Sequence, residues 1–180
     1  MSKLLVVIDY QNDFVDGKLG FKKAEELEEG IYNKVNEYLK NGHKVIFTYD
    51  THYDNYLSTR EGINLPVIHC IKGTDGHELF GRLKEFKGVE NTLHYNKEAF
   101  GIAPKDMIEI SEKAGNDITE IEMVGVVTNM CVISNAVTFQ AQYTNANIIV
   151  DASLCASFDE KLHEEALDVL ESLQVNVINR

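Results

Sequence analysis

Short apolar runs alternate with amphipathic segments along this chain, and this alternation is what most restricts its fold. Leu4 to Ile8 is a continuous apolar run, as expected of a strand buried on both faces. Ala24 to Leu39 carries apolar residues at helical spacing and stops before Asn41-Gly42, a typical helix end. Both patterns recur to the C-terminus. Further strands are predicted at 44–49, 89–94, 120–127, 148–150 and 175–178, and further helices at 104–114, 130–143 and 159–173.

Alternating strands and helices pair their strands in parallel and pack the helices on both faces of the sheet. We therefore predict an α/β fold of three layers, with a mostly parallel central sheet of about six strands flanked by helices. The 180 residues contain no internal repeat and no linker rich in proline or serine. Residues 1–180 are accordingly predicted to form a single domain.

The net charge and the spacing of the cysteines restrict which partners the protein can bind and where in the cell it is expected. Lysine and arginine number 17 against 29 aspartates and glutamates, which gives a net charge of −12. Neither nucleic acid nor an anionic membrane surface is expected as a partner, because both need clustered basic residues. The first apolar run is too short to span a membrane and lacks a signal-peptide cleavage site, so we expect a cytoplasmic protein. Three widely spaced cysteines without a CxxC pair argue against a disulfide framework or a structural zinc site.

Cys131 occupies the junction between the predicted strand at 120–127 and the helix at 130–143. Unpaired N–H groups and the helix dipole at such a junction favour the thiolate, which is the nucleophilic form of cysteine. The competing interpretation is a buried structural cysteine, which we expect Cys70 and Cys155 to be.

Two charged residues at predicted strand ends are candidates to assist such a thiol. Ligands of parallel α/β sheets bind beyond the carboxyl ends of the strands. Asp9 ends the first strand and suits a general base, although an aspartate there also commonly caps a turn. Lys97 follows the third strand, where a cation would lower the pKa of a neighbouring thiol; the alternative is a solvated surface lysine. Asp151, at the end of the fifth strand, is predicted at the same edge.

Asp50 and His52 are two residues apart at the end of the second strand, so their side chains project to the same side. His69 follows another apolar stretch. One carboxylate and two imidazoles can serve as the ligands of a divalent metal ion that keeps further coordination positions open. Asp-x-His also arises by chance, and His69 suits a packed core histidine equally well.

Three motifs together resemble those of the isochorismatase-like cysteine hydrolases. They are Asp9 in VIDYQNDF, Lys97 in YNKEAFG and Cys131 in GVVTNMCV, in this order along nearly the whole chain. Asp50-x-His52 with His69 is similar to the metal motif of the nicotinamidase/pyrazinamidase branch. The resemblance implies a Rossmann-like fold and a catalytic triad of Asp9, Lys97 and Cys131 that hydrolyses a small amide such as nicotinamide.

The same resemblance implies a metal ion, most readily zinc, with iron and manganese as alternatives. Asp50, His52 and His69 would be its ligands, and the ion would hold the pyridine nitrogen of the substrate. A cis peptide bond is implied between Val126 and Val127, with the N–H groups of Val127 and Cys131 as the oxyanion hole.

The substrate is less constrained, because the branch usually carries a ring-stacking Trp before the metal-binding His and this chain has no Trp. Leu65 stands near that position, and Phe14, Tyr95 and Phe100 are the other expected substrate contacts. Two alternatives stay open: an isochorismatase-like hydrolase of another small amide or carbamoyl compound, and a non-catalytic binding protein on this fold. The resemblance also suggests a homo-oligomer, either a dimer or a tetramer.

Overall fold

The computed structural model describes residues 2–180, which form one six-stranded sheet and the helices around it. The strands are Ser2–Ile8 (β1), Lys44–Asp50 (β2), Thr92–Lys97 (β3), Ile118–Val126 (β4), Asn147–Ala156 (β5) and Asn176–Ile178 (β6). The helices are Asn12–Val15 (α1), Lys22–Glu25 (α2), Glu28–Lys40 (α3), Arg60–Asn64 (α4), Pro104–Ala114 (α5), Ile133–Gln142 (α6) and Glu160–Ser172 (α7). Among these described residues, no helix is both long and apolar enough to cross a membrane.

All strand pairs of the sheet are parallel, in the order β3-β2-β1-β4-β5-β6. Val6 of β1 lies opposite Ile46 of β2 on one side and Met123 of β4 on the other. The predicted three-layer fold with a parallel sheet of about six strands is therefore confirmed. The strand order changes direction between β1 and β4, and sheets of this kind hold their ligands in the crevice at that point.

The central strand β1 explains why its sequence is a continuous apolar run. Leu4, Val6 and Ile8 pack into the core on the side of α5, α6 and α7, whereas Leu5 and Val7 pack into the core beside α1, α2 and α3. All five side chains are fully buried. Each such burial contributes roughly 1.5–3 kcal/mol relative to an exposed side chain, so the strand is held firmly between two layers of helices.

Several predicted boundaries differ from those observed. The helix expected from Ala24 to Leu39 is two helices, α2 and α3. The third strand does not start at 89, because Asn91 sits in a turn with a positive φ of 64°; β3 begins at Thr92 and has Lys97 as its last residue. The helix expected from residue 130 begins instead with a π-helical turn, Thr128–Val132, that continues into α6.

Asp151 was expected to end the fifth strand, and this prediction is wrong. β5 continues to Ala156, so Asp151 lies within the strand. Its carboxylate accepts a hydrogen bond from Lys34 Nζ at 2.7 Å, and Lys34 also pairs with Glu122 of β4. Asp151 therefore belongs to a largely buried ion cluster beneath α3 and not to the group of polar residues at the strand ends.

Candidate active site

Asp9, Lys97 and Cys131 come together at the carboxyl ends of β1, β3 and β4. Lys97 Nζ lies 2.6 Å from Asp9 Oδ2 and 3.6 Å from Cys131 Sγ. All three side chains are buried. The structure thus places the Cys131 thiol and the Asp9 carboxylate on one ammonium group, and these are the groups that a cysteine nucleophile with its base requires.

The backbone and the neighbouring strand hold Asp9 in place. Asp9 directly follows β1 and has a φ of 47°, in the left-handed region that few residues adopt. The Thr48 hydroxyl donates to Asp9 Oδ1 at 2.7 Å, and the Asp9 N–H donates to the Thr48 carbonyl at 3.2 Å. One carboxylate oxygen is therefore fixed by Thr48, while the other is paired with Lys97.

The electrostatics of the cluster are governed by burial. Burial raises the pKa of the Cys131 thiol well above its ordinary value; Lys97 opposes this shift and Asp9 adds to it. Burial also raises the pKa of Asp9, against the pull of Lys97. For Lys97, burial favours the neutral amine, but the charges of Asp9 and Cys131 outweigh it and the pKa rises. Lys97 does lower the thiol pKa, as expected, but the expected net shift is wrong: complete burial raises the pKa by more than Lys97 lowers it.

The turn that carries Cys131 is tied to the surrounding structure on both sides. It follows a cis peptide bond between Val126 and Val127, as the sequence resemblance implied. Thr128 Oγ1 lies 2.8 Å from His163 Nδ1 of α7. The Ser157 hydroxyl donates to Asn129 Oδ1 at 2.7 Å. Val127 and Cys131, the expected oxyanion-hole residues, both line the cleft described below.

Asp50, His52 and His69 also come together, and a fourth residue, Glu61, joins them. Each of the four offers one donor atom, and these atoms lie within 4.8 Å of one another. His52 Nε2 is 2.9 Å from Asp50 Oδ2 and 3.6 Å from Glu61 Oε1. Glu61 was not predicted from the sequence, because α4 brings it back to the site only in the folded chain. Asp50 connects both groups, since its other oxygen lies 3.7 Å from Lys97 Nζ.

The donor set fits a divalent transition metal ion. His69 Nδ1 lies 2.7 Å from the Val67 carbonyl and can only donate to it, which leaves Nε2 free to act as a ligand. Asp50 Oδ1 and His52 Nε2 are buried, yet neither makes a well-directed hydrogen bond to any of residues 2–180. Burial opposes protonation of His52, but the carboxylates of Asp50 and Glu61 raise its pKa to about 9, so the group attracts a cation. Two imidazoles and two carboxylates suit zinc, iron or manganese.

Two further residues of the VIDYQNDF motif hold these metal-ligand candidates in place, and the sequence analysis missed their role. The Gln11 side chain accepts from the Asp50 N–H at 2.8 Å and donates to the Asp50 carbonyl at 3.0 Å. The Asp13 carboxylate accepts from the Cys70 N–H at 2.8 Å and so fixes the residue after His69. Both side chains are buried. Their hydrogen bonds hold the backbone at Asp50 and next to His69.

A cleft of about 870 Å³ opens above Cys131 and the metal-ligand candidates. Of the expected substrate contacts, Phe14, Leu65 and Phe100 line it. The Phe14 ring also packs edge-on against His69 at 5.5 Å. Tyr95 does not line the cleft, so its expected role is wrong: it lies two residues back along β3 and packs against the core beneath α5, where Lys113 lies 5.8 Å from its ring.

Comparison with known proteins is consistent with this geometry. Residues 3–180 match the family model of the isochorismatase domain. An isochorismatase family protein of Bacillus subtilis, PncA, is 32% identical over 174 residues, which cover 93% of each chain. The nicotinamidase of Saccharomyces cerevisiae is 26% identical, with 99% of this chain and 100% of the yeast protein covered. The crystal structure of nicotinamidase/pyrazinamidase PncA from Bacillus subtilis superposes with a TM-score of 0.87 at 29% identity, covering 98% of this chain and 99% of that one.

Proposed function

The chain belongs to the isochorismatase family, and we propose that it is a nicotinamidase-like cysteine amidohydrolase. It hydrolyses nicotinamide, or a close small amide, to the acid and ammonia through a thioester on Cys131. The observation that carries the proposal is that Lys97 Nζ contacts both Asp9 Oδ2 and Cys131 Sγ, and that Cys131 lines a cleft. The family match and the nicotinamidase relatives support the reaction class.

Acylation begins with the Cys131 thiol protonated, as its raised pKa requires. Asp9 takes the thiol proton while Sγ forms a bond to the amide carbon. Lys97 stays charged and stabilises the developing thiolate from 3.6 Å. The N–H groups of Val127 and Cys131 would hold the oxyanion. The carbon–nitrogen bond then breaks, and Asp9 returns its proton to the departing ammonia.

Deacylation uses the same groups in reverse. Asp9, again a carboxylate, takes a proton from water as the water oxygen adds to the thioester carbon. The carbon–sulfur bond breaks, the acid leaves, and the Cys131 thiolate recovers its proton from Asp9. The raised pKa of Asp9 suits a group that must bind and release a proton once in each half of the cycle.

Asp50, His52, His69 and Glu61 would hold the divalent ion, with zinc the expected metal. When bound, the ion would supply a Lewis-acid position for the ring nitrogen of the substrate. Phe14 packs against His69 and offers an aromatic face beside that position. With the ion bound, the four candidate ligands would orient the ring, while the Asp9–Lys97–Cys131 group carries out the chemistry on the amide.

Hydrolysis of a different small amide or of a carbamoyl compound is the second candidate function. The lining of the cleft favours it, because Leu65 and Phe100 are exposed there and the chain has no Trp to stack on a pyridine ring. Ammonia release from nicotinamide, pyrazinamide, an aliphatic amide and a carbamoyl compound would decide between the two, measured with and without added zinc, iron or manganese on protein purified without an affinity tag.

Cys131→Ala tests the proposed chemistry, and Cys155→Ala is its matched control. Both thiols are buried, but Cys155 lies in β5 and does not line the cleft. We expect C131A to stay folded and to release no ammonia, whereas C155A keeps its activity. Ammonia release by C131A at the wild-type rate would contradict the mechanism.

The assembly and the location are also proposed. Tyr53, Leu57 and Ile63 expose between 43% and 70% of their surface near the cleft, which favours association into a dimer or tetramer. Sedimentation velocity would measure this. Three free cysteines, one of them the proposed nucleophile, suit a reducing compartment, so we propose the cytoplasm.

A further inference from the structure

The loop at 98–103 joins β3 to α5 and passes over the nucleophile. Its carbonyl at Ala99 accepts a hydrogen bond from Lys97 Nζ at 3.1 Å, so the loop directly contacts the ammonium group. Ala99 and Phe100 also line the cleft. The position of this loop therefore affects both the cation beside the thiol and one wall of the substrate site.

Asn135 connects this loop to the turn that carries Cys131. It lies in α6, one helical turn beyond Cys131, and its side chain is fully buried. Its amide nitrogen donates to the Cys131 carbonyl at 2.8 Å and to the Phe100 carbonyl at 3.1 Å. Its amide oxygen accepts from the Ile102 N–H at 3.1 Å. One side chain thus satisfies three backbone groups from two separate segments.

The loop lies close enough to α6 for these bonds to fix its position. A Cβ atom at Gly101 would meet the Ser134 carbonyl at 3.2 Å and the Thr138 hydroxyl at 3.1 Å, so the backbone of the loop rests directly on the helix. Ile102 is buried in the core on the same side. Between these contacts and β3, the Ala99 carbonyl has little freedom to move away from Lys97.

We propose that Asn135 is a positioning residue for the amidohydrolase reaction, which holds the Lys97 ammonium and the Cys131 thiol at their working separation. It touches neither the substrate nor the reacting atoms and acts through the loop at 98–103. The alternative is that Asn135 only satisfies buried backbone groups and stabilises the fold. The two roles predict different results when the loop is released but the protein stays folded: a positioning residue lowers the rate of catalysis, whereas a purely structural residue does not.

Asn135→Ser separates the two connections. A serine hydroxyl in a helix reaches the carbonyl four residues earlier, so N135S keeps the bond to Cys131 and loses both bonds to the loop. A displacement of about 1 Å at a catalytic group can cost roughly 100-fold in rate. We expect kcat for ammonia release to fall by about tenfold or more, with KM changed by less than about threefold. Phe139→Leu is the control, because Phe139 is fully buried in the same helix and makes no hydrogen bond to the loop.

The inference rests on the proposed function, so the second measurement needs no substrate. It is the rate at which iodoacetamide alkylates Cys131, followed by mass spectrometry of the peptide that contains it. We expect alkylation of N135S to be several-fold slower than wild type, because a displaced ammonium stabilises the thiolate less. F139L should lower the melting temperature and leave both kcat and the alkylation rate near the wild-type values.

Three outcomes would overturn the proposal. The first is an unchanged kcat and alkylation rate in N135S. The second is faster alkylation of N135S, which would mean that the loop opened without moving Lys97. The third is an equal loss of kcat and of alkylation rate in N135S and F139L. If N135S does not fold, Asn135→Thr takes its place, since its hydroxyl also reaches the Cys131 carbonyl and makes neither bond to the loop, and the same two measurements decide. If the wild-type protein releases no ammonia from any amide, the proposed function fails while the alkylation comparison still tests Asn135.

Discussion

Replacing Lys97 with methionine should destabilise the protein and inactivate it, for one and the same reason. Lys97 Nζ lies 2.6 Å from Asp9 Oδ2, and both groups are buried. At an effective dielectric constant of about 20, two unit charges at that distance attract each other by about 6 kcal/mol. Part of this attraction offsets the cost of burial, so removal of one partner from such a pair typically costs ~3–5 kcal/mol. K97M should lose that much of its free energy of unfolding.

A double mutant separates the ion pair from simple loss of packing. In K97M/D9N the uncompensated carboxylate is gone, and the asparagine oxygen can still accept the hydrogen bond from Thr48. Asp50 keeps its contacts with His52 and His69. The double mutant should therefore be more stable than K97M by roughly 2 kcal/mol or more. Neither variant should be active, because K97M lacks the cation and the double mutant lacks both the cation and the base.

The pH dependence of K97M provides a second check. Without its cation, the buried Asp9 carboxyl has a pKa raised further above its unfolded value, so the folded state keeps a proton that the unfolded state has released. Stability is then greatest below the unfolded pKa and falls as the pH rises. Urea unfolding followed by circular dichroism, in EDTA to remove metal binding, should show K97M losing more stability than wild type between about pH 5 and pH 8. A wild-type unfolding midpoint for K97M, or a double mutant less stable than K97M, would refute the reasoning.

Three further predictions concern the metal-ligand candidates, the cleft and the ion cluster beneath α3. Glu61→Gln should weaken zinc binding by roughly tenfold or more in a metal titration, whereas Glu98→Gln, which alters another carboxylate of the cleft, should leave it unchanged. Leu65→Trp should lower KM for nicotinamide about fivefold, because an added aromatic contact is worth ~1 kcal/mol; an unchanged KM would place the ring elsewhere. Lys34→Met should cost about 2 kcal/mol and leave kcat unchanged. Burial would raise the pKa of Asp151, but Lys34 holds this pKa below its ordinary value. The resulting stabilisation of the folded state is present above the unfolded pKa and is lost as the pH falls through the folded pKa. K34M lacks it and should therefore unfold at a higher pH on acid titration.

The parts of the fold that follow from local pattern were predictable from the sequence. The apolar run at Leu4 to Ile8 can be satisfied only by burial on both faces, and this places Asp9 at a strand end. Asp50 and His52 share a side because alternate residues at a strand end project together. Once the strands are parallel, their carboxyl ends meet at one edge, which is why separate motifs containing Asp9, Lys97 and Cys131 lie together.

Features that depend on packing between distant segments were not predictable in this way. Glu61 reaches the metal-ligand candidates because α4 folds back over the end of β2, and nothing in its local sequence indicates this. Tyr95 looked like a substrate contact because it is an aromatic residue near Lys97, yet the two-residue offset along β3 puts it in the core. The direction of the Cys131 pKa depended on the degree of burial, which outweighs both the helix terminus and the lysine. Asp151 paired with Lys34 instead of ending its strand.

The central claim is that Cys131 forms a thioester with the acyl group of the substrate, and trapping this intermediate tests it most directly. Wild-type protein would be mixed with nicotinamide, quenched in acid within the first turnover, and digested for mass spectrometry. We predict that the peptide containing Cys131 gains the mass of a nicotinoyl group, that Cys70 and Cys155 stay unmodified, and that the adduct disappears in C131A together with ammonia release. Ammonia release at a normal rate with no acyl adduct on Cys131, or with the adduct on another residue, would contradict this mechanism.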